Sequence, residues 1–329
     1  MSMRTLFLKA DELGVRQGAE VIRAGGLVAF PTETVYGLGA DALSSSAVAR
    51  IFEAKERPRG NPLIVHLANA GALESVASRV PPRAHDAAAR FWPGPLTLVL
   101  PRAGRVPLIT TGGLDTVAAR VPSHPVALAL IEASGRPIAA PSANRSGRPS
   151  PTRAGHVRDD LDGRIDMILD GGPTPVGVES TVLDMTTEPP MLLRPGGVTL
   201  EQLRDCLGEV AVLKGDDEEA TGRSPGLRYR HYAPRAQVIV VDRETGEAVV
   251  APWLEAGRPV ALMAQRPIAL DRPGLLVRTM PADLGAYARD LFAVLRELDS
   301  TGVEGIFVEA VPQEGLGLTI MDRLRRAAS

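Results

Sequence analysis

The sequence predicts an α/β protein in two parts, an N-terminal α/β sandwich on a mixed sheet and a smaller C-terminal Rossmann-like sheet. Three observations lead there. The chain has 329 residues, more than a single hydrophobic core usually serves. Over the first two-thirds, short apolar runs alternate with amphipathic stretches, but the later runs follow one another without helices between them. Parallel neighbours need long crossovers, so that spacing requires a mixed sheet. Beyond residue 236 a regular strand–helix alternation begins again. The expected division is a catalytic domain over 1–213, a linker over 214–235 and a C-terminal domain over 236–329.

In chain order, residues 6–8 open a strand and 11–24 a helix ended by Gly25 and Gly26. A strand over 27–30 runs into a polar segment. Ser44–Ser46 supply caps for a helix with Val48, Ile51 and Phe52 on its apolar face. It must stop near Arg57, because the residue before a proline resists helical geometry. Further strands are predicted over 62–67, 96–100, 117–121, 137–140, 165–169, 181–185 and 191–194. Helices are predicted over 82–91, 125–133, 152–161 and 200–207. The acidic run 216–219 reads as a solvated tether. Segment 224–234 (SPGLRYRHYAP) is too aromatic and too aperiodic for a passive linker. In the C-terminal part, strands are expected over 238–241, 259–263, 275–279 and 305–309, with helices over 246–256, 282–300 and 316–328. Gly315 and Gly317 make a tight turn; Ile320 stands where a dinucleotide fingerprint needs its third glycine.

Composition narrows the function. The net charge of −2 gives no whole-molecule footprint for nucleic acid. Of the 37 basic residues only Lys9, Lys55 and Lys214 are lysines, so an arginine by itself carries little information. The single cysteine, Cys206, excludes an internal disulfide and a cysteine-rich zinc site, and sits in a helical pattern where packing explains it. No signal-like start or spanning apolar run is visible, so a cytoplasmic protein without a membrane segment is expected. P-loop, nucleophile-elbow and H-E-x-x-H motifs are absent, and the five histidines are scattered, so no metal site is expected.

What remains is a set of polar clusters at predicted strand ends, where open α/β sheets bind ligands. PTETVYGLG over 31–39 brings two hydroxyls, a carboxylate and a phenol, followed by Gly37 and Gly39, which would let backbone approach a ligand. Lys55, Arg57 and Arg59 gather at a helix end, where they suit either the helix dipole or a polyphosphate. Pro141, Ser142, Ala143, Asn144 and Arg145 follow an apolar strand as an oxyanion-type turn. Glu179, Ser180 and Thr181 precede Arg194 by a short hairpin, and Thr116 and Arg120 flank a strand.

Taken together, PTETVYGLG, the K-x-R of Lys55 and Arg57, the NPL of 61–63, the S-x-N of Ser142 and Asn144, and the STV of 180–182 resemble the YrdC-like domain of threonylcarbamoyl-AMP synthases. SPGLRYRHYAP and the terminal GLGLTIMDRLRRAA are similar to the family's long, two-domain form. The resemblance covers about residues 10–205 and 224–328. It implies an enzyme, a nucleotidyltransferase, that condenses L-threonine, bicarbonate or carbon dioxide, and ATP to threonylcarbamoyl-AMP and pyrophosphate for tRNA modification next to the anticodon.

By position, it implies Thr34, His66, Arg120, the backbone around Ala140, and Ser180 as threonine-binding groups, with Arg120 facing the substrate carboxylate. Arg57, Asn61, Thr116, Ser142, Asn144, Ser150, Arg194 and Tyr232 are implied nucleotide contacts. Lys55 joins them at the triphosphate, and Lys55 and Arg57 are the implied catalytic pair. Mg²⁺ is expected to arrive on the nucleotide rather than in a protein cage. Segment 224–234 is expected to close over the cleft as a lid. Downstream partners would be the proteins that transfer the product to tRNA; direct tRNA binding is left open and is not required. The rival reading is an RNA-binding or ribosome-associated module using a basic cleft, against which the neutral, aromatic-poor composition speaks.

Overall fold

The computed structural model describes residues 4–213, 218–224, 232–268 and 272–328. The chain divides into two compact units: residues 1–146, 150–175 and 179–228 form the first, and residues 147–149, 176–178 and 229–329 the second.

Helices of the first unit start where short polar side chains meet exposed N–H groups. Asp11 accepts from Gly14 N at the start of α1 (Glu12–Arg23), and Ser44 accepts from Ala47 N at the start of α2 (Ser45–Lys55). Glu56 ends α2 in the left-handed conformation at φ 55°. Helices α3 (Pro82–Phe91), α4 (Pro125–Ser134), α5 (Ala154–Leu161) and α6 (Leu200–Leu207) follow. The last opens with a reciprocal capping box between Thr199 and Gln202.

The strands between them are β1 (Leu6–Lys9), β2 (Val28–Phe30), β3 (Gly37–Asp41), β4 (Ile64–His66), β5 (Leu96–Pro101), β6 (Thr116–Arg120), β7 (Ile138–Ala139), β8 (Met167–Asp170), β9 (Thr181–Asp184), β10 (Met191–Arg194) and β11 (Ala211–Val212). They form one sheet in the order β1-β8-β2-β3-β7-β4-β6-β5-β9-β10-β11. Pairing is mixed: β4 lies parallel to β6 and β5 to β9, whereas β5–β6, β2–β3 and β9–β10 are antiparallel. The expected mixed α/β sheet is therefore the observed one.

Strand alternation divides the side chains between two faces. Ala29, Leu38, Val65, Ala119, Leu98 and Leu183 join one core with residues of α2, α3, α5 and α6. The opposite face has two apolar patches. One joins Val28, Phe30 and Ile138 to α1 and α4; the other comprises Ile64, Val99, Ala118, Val182 and Leu193. Two positions along from members of the second patch, on the same face, stand His66, Arg120, Thr97 and Ser180.

Two sequence expectations are corrected here. Gly37 and Gly39 do not sit in an open loop; they are buried residues of β3. A Cβ on Gly39 would meet Ile138 Cγ2 and Phe30 Cε1, each at 2.7 Å, so the missing side chain makes room for the Phe30 ring. Nor is the acidic run a tether throughout. Residues 218–222 begin α7 (Glu218–Gly222), whose Ala220 packs in the patch with Ile64 and Val99; residues 214–217 lie outside the described set. A 3₁₀ turn over Ala70–Ser75 and the two-residue β11 had no counterpart in the pattern. Cys206 packs at the edge of the main core, as expected.

In the second unit, β12 (Gln237–Val241), β13 (Val260–Ala264), β14 (Leu275–Thr279) and β15 (Gly305–Glu309) form an all-parallel sheet in the order β12-β15-β13-β14. Helices α8 (Gly246–Glu255), α9 (Leu284–Ser300) and α10 (Leu316–Ala328) complete the Rossmann-like alternation. Trp253 of α8 meets Phe307 edge-on at 5.4 Å, and Gly305 leaves room for the indole, which would lie 2.9 Å from a Cβ there. Gly315 turns with φ 55°, and a Cβ on Gly317 would collide with Pro312 O, which accounts for both glycines.

The packing at β3 generates a stability prediction. Gly39→Val is expected to lower the unfolding free energy by about 1–3 kcal/mol through overpacking. Gly104→Ala, whose Cβ meets nothing within 4 Å, should change it by about 0.5 kcal/mol or less. Denaturant melts of the two variants beside the unsubstituted chain make the comparison.

Candidate functional site

The polar half of the sheet is organised by Arg120. Its position is set by register: β4 and β6 run parallel with His66 opposite Arg120, so both side chains end their strands on one face. The guanidinium is held on three sides. Nε donates to Gly94 O at 3.2 Å, Nη1 donates to Thr34 Oγ1 at 3.0 Å, and Nη2 lies 2.6 Å from Glu33 Oε1. The side chains of this ion pair are 3% and 6% exposed.

The loop that follows β2 delivers Glu33 and Thr34, and its own hydrogen bonds fix their orientation. Thr32 Oγ1 donates to Val35 O at 2.7 Å. Its proton being spent there, the 2.8 Å contact between Thr32 and Thr34 must run with Thr34 as donor. Thr34 Oγ1 thus gives its proton to Thr32 and accepts from Arg120. Tyr36, next along, is buried and donates to Gly172 O at 2.7 Å; burial raises its pKa far above the ordinary phenol value.

His66 lies behind Arg120 with its Nδ1 donating to Ile64 O at 3.2 Å and its ring edge-on to Phe30. Complete burial, reinforced by the positive charge of Arg120, pushes its pKa down to about 3. His66 is therefore a neutral imidazole at physiological pH. His124 caps α4 by accepting from Val126 N at 3.2 Å; burial lowers its pKa, partly opposed by the charge of Glu33.

Further along the face, Ser180 shares a 2.8 Å hydrogen bond with Thr97 Oγ1. Arg194 donates through Nη2 to Ser180 O at 2.8 Å. Ser150 donates to Glu179 Oε1 at 2.5 Å. The crossing of these segments needs Gly196, where a Cβ would lie 2.2 Å from Thr181 N.

Lys55 defines the neighbouring cluster. It is buried at the end of α2, and its Nζ donates to the carbonyls of Ser142 and Asn144. Ser142 Oγ in turn donates to Asn144 Oδ1 at 2.5 Å, and Ser142 bridges to Gly37 at the head of β3. Arg57 is buried and donates to Pro62 O at 3.1 Å; Asn61 is buried, with no acceptor within reach of its Nδ2. The three cations are thus not equivalent. Lys55 and Arg57 turn inward to carbonyls, whereas Arg59 is exposed beside Glu53.

Of the residues singled out from sequence, Thr34, His66, Arg120, Ser180 and Arg194 come together on one face, and Lys55, Ser142 and Asn144 form a connected group beside the same strands. Ala140 joins β4 through its N–H to Ile64 O at 2.9 Å. Thr116 is half-buried at the start of β6. Tyr232 lies in the second unit, buried, with its ring 5.2 Å from that of Phe292 and Arg323 over it. Residues 225–231 of the expected lid fall outside the described set. Sequence reasoning missed Thr97, a lone threonine within an apolar strand, and gave Glu33 no role, although it stood in the first cluster.

Comparison with known proteins was made over the whole chain. A family profile described as telomere recombination, Sua5/YciO/YrdC, matches residues 20–196, and one described as the C-terminal domain of threonylcarbamoyl-AMP synthase matches 198–329. Threonylcarbamoyl-AMP synthase of Pyrococcus abyssi is 51% identical over 97% of this chain and 95% of its own. That of Bacillus subtilis is 46% identical over 98% and 94%. Among solved structures, P. abyssi Sua5 complexed with L-threonine superposes with a TM-score of 0.92 at 49% identity, covering 100% of this chain and 98% of that one. Escherichia coli YciO matches 61% of this chain and 99% of its own, with a TM-score of 0.54 at 25% identity.

The neutral His66 yields a pH prediction. In the unfolded chain the imidazole takes up a proton near pH 6.5, whereas in the folded protein it resists down to about 3. Between those values the unfolded state holds the extra proton, so stability falls as pH drops below 6.5 and this group has no effect above it. Urea melts at pH 7.5 and 5.0 should show the unsubstituted protein losing about 2 kcal/mol more than His66→Gln. Equal losses would place the titration elsewhere.

Proposed function

The chain belongs to the threonylcarbamoyl-AMP synthase family, and on that premise we propose that it condenses L-threonine, bicarbonate or carbon dioxide, and ATP to threonylcarbamoyl-AMP and pyrophosphate. It is an enzyme, a nucleotidyltransferase acting in threonylcarbamoyladenosine biosynthesis for tRNA. The RNA-binding alternative is not favoured. One observation carries the reading: Arg120, neutral His66, Thr34 and Ser180 converge on one sheet face beside the Lys55–Ser142–Asn144 group.

The chemistry asks for position and charge rather than a covalent nucleophile. The threonine ammonium first gives up a proton; the free amine then attacks carbon dioxide, an N–C bond forms as one C–O π bond opens, and a second N–H proton leaves to solvent, giving a carbamate. A carbamate oxygen then attacks the α-phosphorus, and the bond from that phosphorus to the pyrophosphate leaving group breaks. On this reading Arg120 receives the threonine carboxylate. Thr34, His66, Ser180 and the backbone at Ala140 shape the remainder of that pocket. Arg57, Asn61, Thr116, Ser142, Asn144, Ser150 and Arg194 hold the nucleotide, and Asn61 brings a buried amide donor without an internal acceptor. Lys55 and Arg57 are placed to offset charge developing at the α-phosphate.

Mg²⁺ would travel with ATP and screen the triphosphate. Among the described residues no group of three or more His, Cys, Asp or Glu could hold a metal ion. Tyr232 as a nucleotide contact, bicarbonate as carbon source and the tRNA-transfer partners follow from the family resemblance. The division at 213 and 235 follows from the break in the strand–helix pattern, and 224–234 as a lid from its aromatic, aperiodic composition. No described helix is long and apolar enough to cross a membrane; a cytoplasmic location is part of the proposal.

Purified protein with ATP and Mg²⁺ should release pyrophosphate only when threonine and bicarbonate are both present. Release indifferent to threonine would mean plain hydrolysis or another acceptor and would overturn the assignment.

A further inference from the structure

Arg120 and Glu33 form a closed ion pair in a place where a free cation would have been the simpler way to receive a carboxylate. The pair brings no net charge to its surroundings. His66 adds none, because burial keeps it neutral, and His124 is shifted the same way. A carboxylate that docks on Arg120 therefore leaves this pocket with one uncompensated negative charge, which a buried site tolerates poorly. An amino acid that enters as a zwitterion removes the imbalance, provided its ammonium lies beside Glu33. The two acidic groups then face two cations.

The hydrogen-bond inventory agrees with the charge count. Arginine has five N–H donors, of which Arg120 directs two to Gly94 O and Thr34 Oγ1. The other Nη1 hydrogen and the pair on Nη2 remain, with Nη2 held to Glu33 Oε1 as an ion pair at 2.6 Å. Among the described residues neither buried Glu33 oxygen accepts a hydrogen bond. A buried carboxylate oxygen without a donor is costly, and an incoming N–H would satisfy it.

We infer that Glu33 binds the amino group of the amino-acid substrate through one carboxylate oxygen while the other orients Arg120 for the substrate carboxylate. The inference rests on the proposed function, since it takes an α-amino acid as the ligand. It assigns the amine end of that ligand to a side chain to which the sequence reading gave no role.

Glu33→Gln tests it, because the amide oxygen can still accept from Arg120 while the negative charge is gone. Calorimetry should show L-threonine binding weakened by about 10- to 100-fold, the range for one charged hydrogen bond. The KM for ATP should stay unchanged, and Glu33→Asp should recover part of the loss. The matching 2-hydroxy acid, which lacks the ammonium, should bind the variant at least as tightly as the unsubstituted protein in competition, because the competing carboxylate charge is gone. Unaltered threonine binding in Glu33→Gln would overturn the inference and leave the proposed function standing. A joint loss for threonine, ATP and the hydroxy acid would assign Glu33 a structural role only, also against the inference. Failure of the unsubstituted protein to bind threonine at all would overturn the function, and this inference with it.

Discussion

A guanidinium that is almost completely shielded from water sets the terms for the polar half of the first unit. The charge of Arg120, so far from water, must be met by its neighbours. Glu33 meets it directly, Gly94 O and Thr34 Oγ1 take two of its donors, and burial, reinforced by the same positive charge, keeps the nearest imidazole neutral. These four neighbours come from three parts of the chain: the loop after β2, the turn before β5, and the end of β4. Arg120 thereby ties three separate segments to one point on the sheet. That arrangement fits chemistry in which the protein supplies position and counter-charge but no covalent intermediate.

Much of the architecture could be read from the chain because its elements carry local signals. Asp11, Ser44 and Thr199 mark helix starts by capping, and α2 ends at Lys55, two residues before the pre-proline position that stops the pattern. β3 was hidden for a physical reason. Its glycines look like loop chemistry in sequence, and only the Phe30 ring and Ile138, packed where side chains would otherwise be, reveal them as strand. α7 was hidden likewise, since its acidic start resembles a solvated tether and only the seat of Ala220 gives it away.

The candidate site was legible as a set of clusters but not as a geometry. Hydroxyls, amides and cations at strand ends stand out in an apolar background, so Thr34, Lys55, Arg120, Ser142 and Ser180 could be singled out. Thr97 could not, because one threonine in a run of leucines has no pattern; its meaning comes from lying across a strand boundary, 2.8 Å from Ser180. Glu33 stood in plain view, but its role depends on an arginine 87 positions later along the chain. Long-range pairings of that kind are set by sheet register, which short-range pattern does not encode.

The proton order in the loop after β2 has a consequence for selectivity. Thr34 is wired in one direction: its hydrogen is committed to Thr32, and one of its two lone pairs to Arg120. What it has left is a single acceptor position. In the proposed threonine site a hydroxyl or amine would bring the missing hydrogen there, while an ether, a methyl group or a bare anion of the same size would find no complement. Reversing the order would take from the backbone carbonyl of Val35 the donor it now has. The polarity of this hydroxyl is therefore set by the turn that carries it.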